Sequence, residues 1–178
     1  MPFDIDLAGS LLTVLVGLPL AGALIVFLMP QSRENAAQWV AVSFSLAELC
    51  LGVLLLVRFQ AYLPGYQFTQ HIDWMPELGI AYRVGVDGLS VLLIVLTSLL
   101  SALVVIAAPS VREKRGAYLG CLLFLEAGMV GVFCALDLVL FYVFWEAMLI
   151  PMYLLIGIWG GERRVYAALK FVLFTAIG

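Results

Sequence analysis

Charge is scarce in this sequence. Only 12% of its residues are Asp, Glu, Lys or Arg, against 65% hydrophobic, where a soluble domain carries about a quarter charged and about half apolar. A mean hydropathy of +1.13 leaves too little polar surface to cover a water-soluble fold of this size, which excludes that class. Basic residues are few, with nine Lys and Arg against twelve Asp and Glu and a net charge of −3. No basic stripe points to nucleic acid. There is one histidine, His71, and a single histidine does not make a metal site. The three cysteines, Cys50, Cys121 and Cys134, lie in apolar runs without a CxxC pair or a ligand spacing, so they read as small core or lipid-facing residues. The start of the chain has Asp4 and Asp6 and no Lys or Arg before its first apolar run, which is not how a cleaved signal begins. No nucleophile–base pair, phosphate loop or GxGxxG after a strand is visible.

What the sequence has instead is long apolar runs, and a helix needs about 20 such residues to cross the hydrocarbon. The first run, Leu7 to Met29, is uncharged and contains Pro19, a residue that kinks helices and that membrane helices tolerate. The second goes from Ala36 to Val57 and carries Glu48 near its middle. The third is Gly88 to Ala108, the fourth Ala117 to Leu136 with Glu126 at mid-depth, and the fifth Leu138 to Gly160 with Glu146 and Pro151 inside. A sixth begins at Val165 and stops at Gly178; its fourteen residues span roughly 21 Å of the ~30 Å needed. The expectation is therefore an all-α, polytopic membrane bundle of about six transmembrane helices, the sixth truncated, and a chain that is the N-terminal part of a longer one. Residues 1–116 read as an N-terminal three-helix membrane segment with a surface loop at 58–87, and 117–178 as the start of a proton-translocation bundle, incomplete at the C-terminus.

The long link contains Pro64-Gly65, His71, Trp74, Pro76 and Gly79, and its stretch from Leu78 to Val84 alternates roughly apolar and polar. This predicts a short strand or hairpin on the membrane surface, with Trp74 and the tyrosines in an interfacial belt. Orientation follows Lys and Arg in the short links. With the N-terminus outside, the inner links hold Arg33, Arg112, Lys114, Arg115, Arg163 and Arg164, and the outer ones only Arg58 and Arg83. The N-terminus is therefore expected outside.

Four ionisable side chains fall within the apolar runs: Glu48, Glu126, Glu146 and Lys170. A charge at mid-depth costs at least ~2.5–3.5 kcal/mol, so each needs a partner, a proton or a hydrated pocket. Glu146 is the strongest candidate for a proton relay. It lies roughly 12 Å along its helix from Leu138, with Tyr142, Leu149, Ile150 and Tyr153 on its face. Pro151 cannot donate a backbone hydrogen bond, which frees the Ala147 carbonyl beside it. A carboxyl, a free carbonyl and a tyrosine hydroxyl together can hold a proton or a water. The bland alternative is a glutamic acid bonded to a neighbouring helix. Glu48 and Glu126 read more simply as interhelical hydrogen-bond partners. Lys170 reads equally as a snorkelling cation or as a charge partner for a helix carboxylate. On these residues alone a transporter half and a structural membrane subunit fit equally well.

The stretch from Phe141 through Trp145-Glu146, Ile150-Pro151-Met152-Tyr153 and Gly160-Gly161-Glu162-Arg163-Arg164 to Phe171 resembles subunit M, or chain 4, of the proton-pumping NADH:quinone oxidoreductases, respiratory complex I. Gly131-Val-Phe-Cys-Ala-Leu-Asp137 and Gly85-Val-Asp-Gly-Leu-Ser90 are similar to that family too. The resemblance implies a fold of about fourteen helices, of which this chain is roughly the first third. It implies that Glu146 is the family's fifth-helix glutamate, which interacts with a lysine on a seventh helix during proton transfer. It also implies no cofactor in this chain, with NADH, FMN, iron–sulfur clusters and quinone held by partner subunits, and neighbours of the L and N types in a bacterial inner membrane. The alternative in the same superfamily is a multi-subunit cation/proton antiporter or a membrane-bound hydrogenase.

Overall fold

The computed structural model describes residues 4–177 except 76, 78 and 112, so Arg112, Pro76, Leu78 and Gly178 lie outside the described residues. Six α-helices and one hairpin follow in order: α1 (Asp4–Leu28), α2 (Glu34–Arg58), β1 (Gln67–Met75), β2 (Ile80–Val86), α3 (Gly88–Ala107), α4 (Arg115–Cys134), α5 (Leu138–Trp159) and α6 (Arg164–Ile177). Five of the helices are long and apolar enough to cross a membrane. Each starts or ends within a few residues of an apolar run, because the run ends where polar residues meet headgroups. The prolines do not interrupt the helices: Pro19 lies inside α1 and Pro151 inside α5.

α1 to α4 form a four-helix bundle, with α4 against α1, α2 and α3; α5 packs on α4, and α6 on α5. Its interior has two apolar clusters. One, at the hairpin end, joins Leu12, Leu15, Leu55, Val91, Ile94 and Val130. The other, at the opposite end, joins Ala23, Val26, Ala41, Val105, Leu119 and Leu123. Small residues set the close contacts, as in membrane packing without a hydrophobic driving force. A Cβ on Gly120 would lie 2.7 Å from the Phe27 ring, and one on Gly22 would lie 2.8 Å from Phe44.

The long link forms a two-stranded antiparallel hairpin, β1–β2, with register shifts between Gln67 and Gln70 and between Asp73 and Met75. It is more than a surface feature. Val84 and Val86 are fully buried in the hairpin-end cluster, so β2 plugs one end of the bundle while the alternate residue, Arg83, stays exposed. The hairpin also reaches the α4–α5 turn. Val84 bridges Ala135, and the Leu136 amide donates to the Arg83 carbonyl at 2.9 Å. A Cβ on Gly85 would come 2.7 Å from Leu136, which explains the glycine. The Tyr82 hydroxyl stands 3.0 Å from Thr13 of α1, whose hydroxyl also donates to Gln70 of β1. Burial raises the Tyr82 phenol above its ordinary value, so it stays protonated through the neutral range.

Both short motifs with a family resemblance contain an aspartate that caps a helix. Asp87 accepts from the Ser90 amide at 2.8 Å and starts α3. Asp137 accepts from the amides of Val139 and Leu140 at 2.9 and 3.1 Å and starts α5. Each satisfies amides left free by the first turn of a helix. The Ser90 hydrogen bonds hold the Asp87 carboxyl below its ordinary value. A depressed acid contributes stability above its unfolded value and loses it as pH falls through the folded one, here below about pH 4. Asp87→Ala should therefore cost about 1 kcal/mol at neutral pH, and that difference from the parent should shrink on acidification below pH 4. Thermal unfolding of both proteins in detergent at the two pH values measures it; a pH-independent difference would mean the carboxylate is not the cap.

Candidate functional site

Glu146 sits midway along α5 and is neither fully buried nor exposed. It lines a groove of about 710 Å³ between α5 and α6, with Val143, Ala147, Tyr153 and Leu173 among its walls. A second recess shares Glu146 with Tyr142, Trp145 and, from α6, Thr175. Tyr142, one turn before the acid, interacts with it through its hydroxyl. The Thr175 hydroxyl is engaged by its own helix, donating to the Phe171 carbonyl at 2.8 Å. Pro151 is buried and leaves the Ala147 carbonyl without its intrahelical donor. Ala147 lines the same groove. The site therefore brings together a carboxyl, a phenol one turn before it, a second phenol in the same groove and an unbonded carbonyl, walled otherwise by apolar side chains. Such a set can hold a proton on the carboxyl and offer it a neighbouring acceptor.

α5 reaches this position by a close approach to α4. A Cβ on Gly131 would penetrate the Phe144 ring, and one on Gly128 would penetrate Met148. At the end away from the hairpin, the Trp159 indole donates to the Glu113 carbonyl at 2.8 Å and packs edge-on against Tyr118 with centroids 5.3 Å apart.

Lys170 is not brought to Glu146. It is exposed, and its ammonium lies over two rings of its own helix, 6.0 Å from Tyr166 and 5.7 Å from Phe174. Glu48 and Glu126, ranked below Glu146 by sequence, are the more deeply buried acids: both are 0% exposed. Of the interhelical hydrogen bonds expected of them, Glu126 has the Ser101 hydroxyl of α3 as a partner, whereas neither oxygen of Glu48 has a hydrogen-bond partner. Gln38 is a buried residue that sequence reasoning passed over. Its amide donates to the Val105 carbonyl at 2.6 Å, tying α2 to α3; a lone Gln two residues into an apolar run was the only signal.

With the fold and the acids placed, comparison with known proteins gives the class. Residues 135–178 match the family model for the membrane subunits shared by NADH:quinone oxidoreductases and Mrp antiporters. Over those residues the chain is similar to this class of antiporter-like membrane subunits. Among its relatives is NADH-quinone oxidoreductase subunit M of Rhodobacter capsulatus, 43% identical over 173 residues, which are 95% of this chain and 33% of the relative. Among solved structures it resembles a chain of respiratory complex I from Thermus thermophilus, with a TM-score of 0.79 and 31% identity over 93% of this chain and 33% of that one. The Mrp complex from Dietzia shares the fold, with a TM-score of 0.73 and 23% identity over 93% of this chain and 18% of that one. The chain thus spans about a third of the length of the curated relatives it matches.

Proposed function

We propose that this chain is part of a membrane subunit of an NADH:quinone oxidoreductase that takes part in moving protons across the membrane, coupled to NADH oxidation and quinone reduction. The observation that carries the reading is the 43% identity to a subunit M over 95% of the chain, within which the fifth helix offers Glu146 to an open groove. In this reading Glu146 takes up and hands on the proton. Tyr142 steadies the carboxyl, and Pro151 and Tyr153 shape the groove. Lys170 is a further cation on the helix across the groove. NADH, FMN, iron–sulfur clusters and quinone belong to partner subunits, with L- and N-type antiporter-like subunits as neighbours in a bacterial cell membrane. Residues 117–178 begin the translocating bundle of a fold of about fourteen helices. The N-terminus faces outward: α1 runs from the hairpin end, where Arg58 and Arg83 lie, towards the end that gathers Arg33, Lys114, Arg115, Arg163 and Arg164, the richer in basic residues.

Deleting the gene and restoring it at full length tests this. NADH-driven proton uptake by inverted membrane vesicles should be lost and then recovered. Unchanged uptake in the deletion strain would sink the proposal. Loss of sodium–proton exchange instead, with NADH-driven uptake intact, would favour the antiporter alternative, which the shared fold of the Mrp complex keeps in view.

A further inference from the structure

The two apolar clusters of the α1–α4 bundle are separated by a polar layer. On α2, Ser45 and Glu48 fall between Ala41 of one cluster and Leu55 of the other; on α4, Glu126 falls between Leu123 and Val130. On α3, Ser98 is fully buried and Ser101 stands beside Glu126. At the same depth of α1, Pro19 removes the donor for the Leu15 carbonyl. Glu48 and Glu126 interact electrostatically; Ser101 hydrogen-bonds Glu126, yet both Glu48 oxygens and the Ser45 hydroxyl lack a hydrogen-bond partner. Glu48 also acts electrostatically on the Cys134 thiol. Among the described residues no lysine, arginine or histidine forms an ion pair with either acid.

Two carboxylates in hydrocarbon without a cation cannot both stay ionised, because each charge costs at least ~2.5–3.5 kcal/mol at mid-depth before their mutual repulsion is counted. A purely structural role would be expected to show interhelical bonds to both acids, yet among the described residues Glu48 has none and Glu126 has only Ser101. An apolar side chain at either position would fill the space at lower cost.

We propose that Glu48 and Glu126 form a single proton-binding site in the centre of the α1–α4 bundle, separate from Glu146. The site gains a proton on one carboxylate oxygen, making one O–H bond as the donor's breaks, and returns it by the reverse step. Ser101 of α3 hydrogen-bonds Glu126, and Ser45 is buried one turn before Glu48 on α2. Towards the hairpin, Cys134 interacts electrostatically with Glu48 and Tyr82, and Tyr82 contacts Thr13, which donates to Gln70. The proposal deepens the proton-moving reading of the protein and rests on it for its purpose, but its test does not depend on transport.

Infrared spectra of the full-length protein in its native assembly, recorded against pH in H2O and D2O, report protonated carboxyls directly. The parent should show a deuterium-sensitive acid band that titrates in two steps more than about one pH unit apart, the mark of a coupled pair. Glu48→Gln and Glu126→Gln should each leave a single step, and the double variant none from this site. Identical titrations in the parent and the double variant would overturn the proposal, as would single variants that leave the other acid's step unmoved. Should the glutamine variants fail to assemble, carbon-13 NMR of glutamate side-chain carboxyls in the parent decides. Two carboxyls whose shifts move together with pH support the pair, and every glutamate ionised at neutral pH refutes it. Loss of the band with NADH-driven proton uptake intact in the parent would reject the pair and leave the functional reading standing.

Discussion

Replacing Glu146 by Gln in the full-length protein should lower NADH-driven proton uptake by roughly tenfold or more, the scale at which a positioned proton-transfer group acts, while leaving the assembled complex intact. Glutamine keeps the volume of the side chain and its capacity to accept a hydrogen bond. It cannot take up a proton at ordinary pH. Because Glu146 is only half-buried in the groove against α6, the amide demands no repacking, so a drop in activity would report chemistry and not folding. Glu146→Asp retains the acid one methylene further from Tyr142 and should fall between the two. Tyr142→Phe, which removes the adjoining hydroxyl, should have a smaller effect than either. Proton uptake by vesicles, scaled to the amount of assembled complex on a native gel, measures all three. Full uptake by the glutamine variant would remove Glu146 from the relay.

The second large effect is structural. Gly131→Leu should prevent α5 from seating on α4, because even a Cβ there would enter the ring of Phe144. Overfilling a packed contact costs about 1–3 kcal/mol, and more where the neighbour cannot move. Phe144 is confined by the backbone of its own helix, so the helices must separate. The expected result is a lower melting temperature in detergent and reduced assembled protein, with the residual complex poorly active because Glu146 moves with α5. Gly161→Ala is the control: nothing lies within 4 Å of a Cβ there, and it should melt as the parent does. Equal stability of the two variants would show that the α4–α5 contact is looser than described.

The helices were legible because an apolar run of about 20 residues has few other fates. Their ends followed from the limits of the apolar runs, and the caps Asp87 and Asp137 emerged only with the structure. Half of the hairpin was legible. The alternation from Leu78 to Val84 marked β2, but β1 is polar and mostly exposed, carries Phe68 at a positive φ of 56°, and breaks its own alternation at the register shifts. Such a strand is specified by its partner more than by its pattern. The burial of Val84 and Val86 could not be read either, since interfacial and plugged strands share one composition. At the acids, sequence located each carboxyl but not its surroundings. A helix that is apolar all round shows no face, so nothing in α2 or α4 alone says that Glu48 and Glu126 point at one another. For Lys170 the two alternatives left open on sequence were snorkelling and pairing. Its ammonium resting on Tyr166 and Phe174 is a third arrangement, available because aromatics flank it at i−4 and i+4.

The attachment of α5 differs at its two ends. Near the hairpin its first turn follows the Asp137 cap and a backbone bridge from Leu136 to Arg83, in a strand wedged among four helices. At the far end it is held by one indole bond and one ring contact. A backbone bridge at one end and a side-chain clasp at the other thus hold α5 by chemically different means, with Glu146 seated between them beside the close contacts of Phe144 and Met148 with Gly131 and Gly128.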